Sequence, residues 1–440
     1  MTKSTLASPG ATSDELLAVP VKLAPGADKS GELELIRRGA VRVVRRLRER
    51  GFEAWFVGGC VRDRLLGRAI GEYDIATDAR PEQVTKVFRH TIAVGAQFGV
   101  IVVIEPEAQY EVATFRAEAE YTDGRRPGSV RFVNAKEDVL RRDFTINGLL
   151  EDPDNGDIAD FVGGKADLSA RVLRAIGDPH ERFAEDHLRM LRAVRFTATL
   201  GFALDDATWK AMIAHAASVT SVAMERVQVE LRRAFAEGDP EVALRLLDDS
   251  GLLAVLFHEV TPHAIAETRR VIGRLGRAPL PWVLALLLRD APPGIEAAFS
   301  ERLKLSRDDR DLLAYLRQGH ARVSAAGRLG LAGRLRFVRE PHYGALSRLE
   351  RVAADGIYAP LVALIDELAA LKSATPAERL HPPRLLDGNM LRKAGYRPGP
   401  AFKTVLDAVE DEQLEGRLND EAAAFAFAAE RLASMGQIAS

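Results

Sequence analysis

Strand signals in this 440-residue chain stop near residue 165. Before that point, short apolar runs rich in β-branched residues ("AWFVGG", "YDIAT", "GVIVVI", "YEVATF" and "SVRFV") are separated by turn residues and read as strands. Beyond it, apolar stripes at helical spacing follow one another, including 186–200, 221–236, 241–256 and 280–289. The architecture expected is a mixed α/β head followed by a long all-α remainder. A chain of this length exceeds one compact core, and about three domains are expected.

Composition narrows the partners more than the fold. A formal net charge of −2 supplies no global basic field, so a nucleic acid would have to be held by a local basic surface. The arginine-rich helix expected over 33–50, ended by Gly51, is one such surface. A single cysteine, Cys60, excludes an internal disulfide framework and suits a reducing cytoplasm. The longest apolar run, Leu280 to Leu288, falls far short of the ~20 residues that span a bilayer, so no membrane partner is expected. Residues 1–30 lack an unbroken apolar stretch and read as a Ser/Pro/Gly/Ala-rich flexible leader.

The chemistry concentrates in "GGCVRDRLLGRAIGEYDIAT", residues 58–77. A strand ending in Gly58-Gly59 lets backbone N–H groups approach a polyanion, because no Cβ intervenes. Arg62 follows where a short helix would start and could fork onto a phosphate. Glu72 and Asp74 are two apart, so on a strand both point to one face. Two adjacent carboxylates repel unless a cation lies between them, and hard oxygen ligands select Mg²⁺. A third acid on a neighbouring strand would complete a two-metal site for phosphoryl transfer, and Glu111 in "YEVATFR" is the candidate. An isolated E-x-D is more often a solvated strand edge. The reading therefore depends on what else the chain carries.

That context is a series of five signatures in order: 58–77, then "RRDFTING" (141–148), "VGGKADLSARVLRAIGDP" (162–179), "RFAEDHLRMLRAVRF" (182–196) and "ERVQVEL" (225–231). Over about 30–440 the chain resembles the class II tRNA nucleotidyltransferases, which share the first signature with bacterial poly(A) polymerases. The resemblance implies a polymerase-β-type nucleotidyltransferase head over 31–165, a neck over 166–240, a body over 241–375 and a tail over 376–440. It places triphosphate and metal at Gly58, Gly59, Arg62, Asp63, Glu72 and Asp74. Arg142, Asp143 and Asn147 would meet the phosphate and ribose, the last two sharing one face of a helical turn. Asp186 and Arg189, three apart on one expected helix, would imitate the Watson–Crick partner of the incoming base. Glu185 would brace the arginine, with Arg192 and Arg195 supporting on the same face.

The implied activity is template-independent addition or repair of the 3′-terminal CCA of tRNA from CTP and ATP, with Mg²⁺. Partial-activity relatives (A-adding, CC-adding or poly(A) polymerase) and a non-catalytic RNA-binding homologue are the alternatives. Two departures stand out. The family's Asp-x-Asp is here Glu72-Tyr73-Asp74, one methylene longer. Where many relatives carry a His-Asp pair in a hydrolase body domain, this chain has Arg289-Asp290, so no metal-dependent hydrolase activity is expected. The stretch 116–132, with its "DGRRP" turn, is the length expected of enzymes that switch from cytosine to adenine.

Overall fold

The computed structural model describes residues 29–95, 99–121 and 127–437. The expected leader therefore lies outside the described residues except for Lys29 and Ser30, and the "DGRRP" turn lies outside except for Pro127.

The head is built on one seven-stranded sheet. Its strands are β1 (Ala54–Val57), β2 (Asp74–Thr77), β3 (Thr91–Gly95), β4 (Val100–Ile104) and β5 (Gln109–Thr114), then, after a separate antiparallel hairpin β6 (Arg116–Tyr121) and β7 (Pro127–Phe132), β8 (Leu149–Glu151) and β9 (Ile158–Asp160). The order is β3-β4-β5-β2-β1-β8-β9. Every pairing is antiparallel except β2 with β5. The parallel register places Asp74 beside Glu111.

The helix Lys29–Arg48 buries Ile36, Ala40, Val43, Val44 and Leu47, the stripe its sequence spacing dictates. Tyr110 of β5 donates its hydroxyl proton to the Ile36 carbonyl at 2.8 Å. Gly39 makes room for it: a Cβ there would lie 2.0 Å from the Tyr110 oxygen. The sheet is thereby held directly beneath the helix.

The helical remainder follows the expected periodicity with three differences. The helix expected over 186–200 begins at Leu188, because Asp186 is extended (φ −143°, ψ 102°) and ends the preceding helix Pro179–Glu185. The helix expected over 241–256 is two, Pro240–Asp249 and Leu252–Leu256, separated where Gly251 takes φ 79°. Two short strands, β10 (Val172–Leu173) and β11 (Ala203–Leu204), pair in parallel beyond the head.

The chain divides into two compact units, Met1–His258 and Glu259–Ser440. The second is helical throughout its described residues. One of its clusters packs Leu391, Phe402, Val405, Val409, Ala428 and Leu432 in the C-terminal helices. Among the described residues no helix is long and apolar enough to cross a membrane.

Candidate active site

Gly58 turns the chain between β1 and the helix Gly59–Leu65 with φ 72° and ψ −128°, a conformation L side chains rarely adopt. A Cβ built on it would lie 3.5 Å from Arg142 Nη1 and 3.8 Å from Asp74 Oδ2. The glycine turn, a guanidinium and a carboxylate thus share one small space. Cys60, next in the chain, is buried with its thiol pushed up to about 12 by burial, and donates to the Val57 carbonyl at 3.2 Å. It is a packing residue, as a small side chain beside the turn should be.

Asp74 opens β2, its residue reaching solvent while protein atoms crowd its carboxyl. That crowding pushes the carboxyl up to about 6. The Arg142 charge opposes the rise and the Glu72 charge adds to it. The expected same-strand pair differs in one respect: the strand begins at Asp74, so Glu72 precedes it. The two carboxylates nonetheless share the exposed side, because Tyr73 between them is buried with its ring 4.9 Å from that of Phe56. Glu111 is half-buried on β5.

Among the described residues no three Asp, Glu, His or Cys side chains approach closely enough to hold a metal ion. Glu72, Asp74 and Glu111 are paired by charge and by register, not assembled into one three-ligand shell. Their chemistry nevertheless fits a hard divalent cation: every donor is a carboxylate oxygen, and the elevated Asp74 carboxyl reports negative charge held in a crowded place.

Arg62 lies at the glycine turn, its Nη2 3.7 Å from where a Cβ on Gly59 would sit. Its Nε and Nη2 donate to the Asp63 carboxylate at 2.9 and 2.8 Å, and Nη1 donates to Asn147 Oδ1 at 2.8 Å. Its plane lies 5.1 Å over the Phe196 ring. Arg62 thus faces Gly59, and Arg142 faces Gly58.

Asp143 is buried at the junction of the second and fourth signatures. It accepts two hydrogen bonds from Arg192 (2.8 and 2.6 Å), one from Asn147 Nδ2 (3.1 Å) and one from the Phe144 amide (2.8 Å). Burial raises its carboxyl, but the Arg192 charge and these hydrogen bonds outweigh that and hold it at about 2. The helical turn expected there is a short 3-10 turn, Thr145–Asn147, which Asp143 precedes.

The break at Asp186 corrects the expected single helix for the base-reading residues. Glu185 and Arg189 still meet, Oε2 to Nη1 at 2.7 Å, so the brace forms across the break. Arg189 also donates to the Arg182 and Arg141 carbonyls at 3.1 and 2.8 Å. Asp186 accepts from the Leu188 amide at 3.1 Å and from Arg226 Nη2 at 3.1 Å. Arg195 is buried over Phe196, 4.0 Å from the ring centre, and donates to Glu230 at 2.5 Å.

Sequence reasoning missed Asp138, Arg141, Arg226 and Glu230 as members of this constellation. Arg226 and Glu230 lie within the fifth signature, which carried no assigned role. A polar residue on the buried stripe of an amphipathic helix was the available signal for Glu230, 6% exposed.

Two family models match: Poly A polymerase head domain over 54–174, and Probable RNA and SrmB- binding site of polymerase A over 201–263. The CCA-adding enzyme of Geobacillus kaustophilus (strain HTA426) is 46% identical over 218 residues, 49% of this chain and 54% of that protein. The chain thus spans about half the length of the first of these relatives. The match to the CCA-adding enzyme of Limosilactobacillus fermentum is longer: 33% identity over 390 residues, 86% of this chain and 93% of the relative. Among solved structures, the Bacillus stearothermophilus CCA-adding enzyme in complex with CTP superposes with a TM-score of 0.73 at 30% identity, covering 91% of this chain and 98% of that one. The Thermotoga maritima CCA-adding enzyme complexed with tRNA_CCA, at 20% identity and a TM-score of 0.64, shares the fold. With the five signatures in order and a relative matched over nearly its whole length, the chain belongs to the CCA-adding enzyme family.

Proposed function

We propose that this protein adds or repairs the 3′-terminal CCA of tRNA from CTP and ATP without a nucleic-acid template. The observation that carries the reading is the convergence at Gly58 of a left-handed glycine turn, the Arg142 guanidinium and the Asp74 carboxylate. A triphosphate needs the first two, and the cation that accompanies it needs the third.

Glu72, Asp74 and Glu111 would hold Mg²⁺, which when bound supplies activation of the attacking 3′-hydroxyl and neutralises charge on the leaving pyrophosphate. Backbone groups of Gly58 and Gly59 take the phosphates from below, and Arg142 meets them from the side. Arg62, fixed on Asp63 and Asn147, holds the turn in shape. Asp143 and Asn147, hydrogen-bonded to each other and held by Arg192 and Arg62 respectively, present a fixed polar edge to the ribose 2′-hydroxyl. That edge distinguishes a ribonucleotide from a deoxyribonucleotide.

Arg189 uses three of its five N–H donors on Glu185 and two carbonyls. Nε–H and one Nη2–H remain, a neighbouring pair that can donate to two acceptors of a base edge. Asp186, steadied by Arg226, supplies the complementary acceptor. A bidentate contact of this kind discriminates by about 1–3 kcal/mol. Residues 31–165 would act as the catalytic head and 166–240 as a neck that reads the nucleotide. The helices of 241–375 and 376–440 would grip tRNA by its shape and backbone.

The test uses tRNA transcripts ending before CCA, after C and after CC, each incubated with labelled CTP and ATP, followed by sequencing of the 3′ ends. Completion of CCA on all three supports the reading. Addition of only C, only A or an A-tract, or no addition, overturns it.

A further inference from the structure

Asp138 has been given no role so far, yet it is 2% exposed and its carboxylate accepts five hydrogen bonds from three residues. It lies in the helix Ala135–Leu140, just before the paired arginines of the second signature. Its Oδ1 accepts from Arg141 Nη2 at 2.6 Å and Nε at 3.0 Å, and from the Arg116 amide at 3.1 Å. Its Oδ2 accepts from Arg142 Nη2 at 3.0 Å and Nε at 3.3 Å. Burial alone would raise this carboxyl, but the Arg142 and Arg141 charges outweigh it, so it is ionised.

Each partner leads somewhere different. Arg142, held by Nε and Nη2, turns its remaining nitrogen, Nη1, towards Gly58 and Asp74. Arg141 donates Nε to the Arg116 carbonyl at 2.6 Å, fixing the start of β6, while its own carbonyl accepts from Arg189 at 2.8 Å. One buried carboxylate therefore sets the phosphate-facing arginine, the base of the β6–β7 hairpin and the support of the base-facing arginine. A surface pair would be pulled apart by solvent. Here the carboxylate is buried and meets each arginine at two points, which fixes orientation as well as position.

We propose that Asp138 is a positioning residue that aligns phosphate recognition through Arg142 with base recognition through Arg141 and Arg189. The proposal rests on the nucleotidyltransferase reading and names a residue through which that site is regulated in shape. Asp138 touches no reacting atom. Its loss should appear in binding and selectivity before it appears in the chemical step.

The experiment compares wild type with Asp138→Asn, Arg142→Met and the double variant in the full chain, reading CTP affinity by equilibrium binding and CTP-over-UTP selectivity by incorporation. Asp138→Asn should weaken CTP binding tenfold or more and reduce selectivity at least fivefold, with kcat changed less. Arg142→Met should weaken binding and leave selectivity within twofold. The double variant should bind CTP no more than twofold worse than Arg142→Met, because both changes remove one interaction. Unchanged affinity and selectivity in Asp138→Asn, or additive losses in the double variant, would overturn the proposal. If Asp138→Asn does not fold, Arg142→Lys and Arg141→Lys test the two branches separately, since lysine keeps the charge and loses the two-point hold. The first should weaken CTP binding and the second should relax selectivity, and neither doing so overturns it. Absence of any nucleotide addition by wild type would refute the functional reading alone, because CTP binding needs no turnover.

Discussion

Arg192 and Asp143, 49 residues apart in the chain, meet through two hydrogen bonds of 2.8 and 2.6 Å. The contact joins the helix Leu188–Leu200 to the segment that leads into β8, and it carries a pH signature. The Asp143 carboxyl is held at about 2, below its ordinary value. A carboxyl depressed in the folded state contributes stability above its unfolded pKa, and that contribution is lost as pH falls through the folded one. The window is thus about pH 4 down to about 2, and the contribution is roughly 2 kcal/mol. Urea unfolding across this window should lose stability more steeply in wild type than in Asp143→Asn. Parallel profiles would remove the ion pair from the account of stability.

Asp74 bears the opposite sign. Its carboxyl is pushed up to about 6, so ionisation is penalised in the folded protein and its contribution to stability improves as pH falls through that value. Asp74→Asn should therefore unfold at a temperature no lower than wild type at pH 7, in metal-free buffer, while losing nucleotide incorporation by at least a hundredfold. A lower unfolding temperature would make Asp74 a structural residue. Retained incorporation would remove it from the cation-holding set.

Much of this was legible in the chain. The glycine turn, the strands carrying Asp74 and Glu111, and the grouping of Asp143 with Asn147 follow from spacing and from residue types that suit few other places. The break at Asp186 was not. No glycine or proline marks it, and an i, i+3 spacing looks the same whether a helix is continuous or interrupted. The partner of Arg62 was also hidden, because periodicity reports which face a side chain occupies and not which distant group it meets. The same limit hid Asp138, whose partners come from the next turn and from β6, and Arg226, whose partner is 40 residues away.

Arg226 holds Asp186, Nη2 to Oδ2 at 3.1 Å. Arg226→Ala should leave Asp186 in place but unsteady, lowering the preference for CTP over UTP by about tenfold, or roughly 1.4 kcal/mol. Arg226→Lys should recover part of it. Competition assays with both nucleotides read this directly, and an unchanged ratio would show that Asp186 needs no such support.

In the second unit, Arg289 pairs with Glu350 at 2.6 Å. Glu350 is 1% exposed, and burial raises its carboxyl, with Arg289 and then His320 opposing. Removing one partner strands a buried charge. Because Arg289 is partly exposed, Arg289→Ala should cost about 1–3 kcal/mol in chemical unfolding. The double variant with Glu350→Gln should recover most of that loss. Additive losses would show that the pair is not the cause. Neither the wild type nor these variants should release phosphate from a generic phosphodiester with Ni²⁺ or Mn²⁺.

The reading of the base by side chains is tested most directly by sequencing tRNA 3′ ends after incubation with all four nucleotides in competition, for wild type and Arg189→Ala. Wild type should yield CCA. Arg189→Ala removes a forked donor, so UTP and GTP should enter at a frequency raised about ten- to a hundredfold relative to CTP. If Arg189→Ala instead slows all four nucleotides by one common factor and the sequence added remains CCA, Arg189 does not read the base.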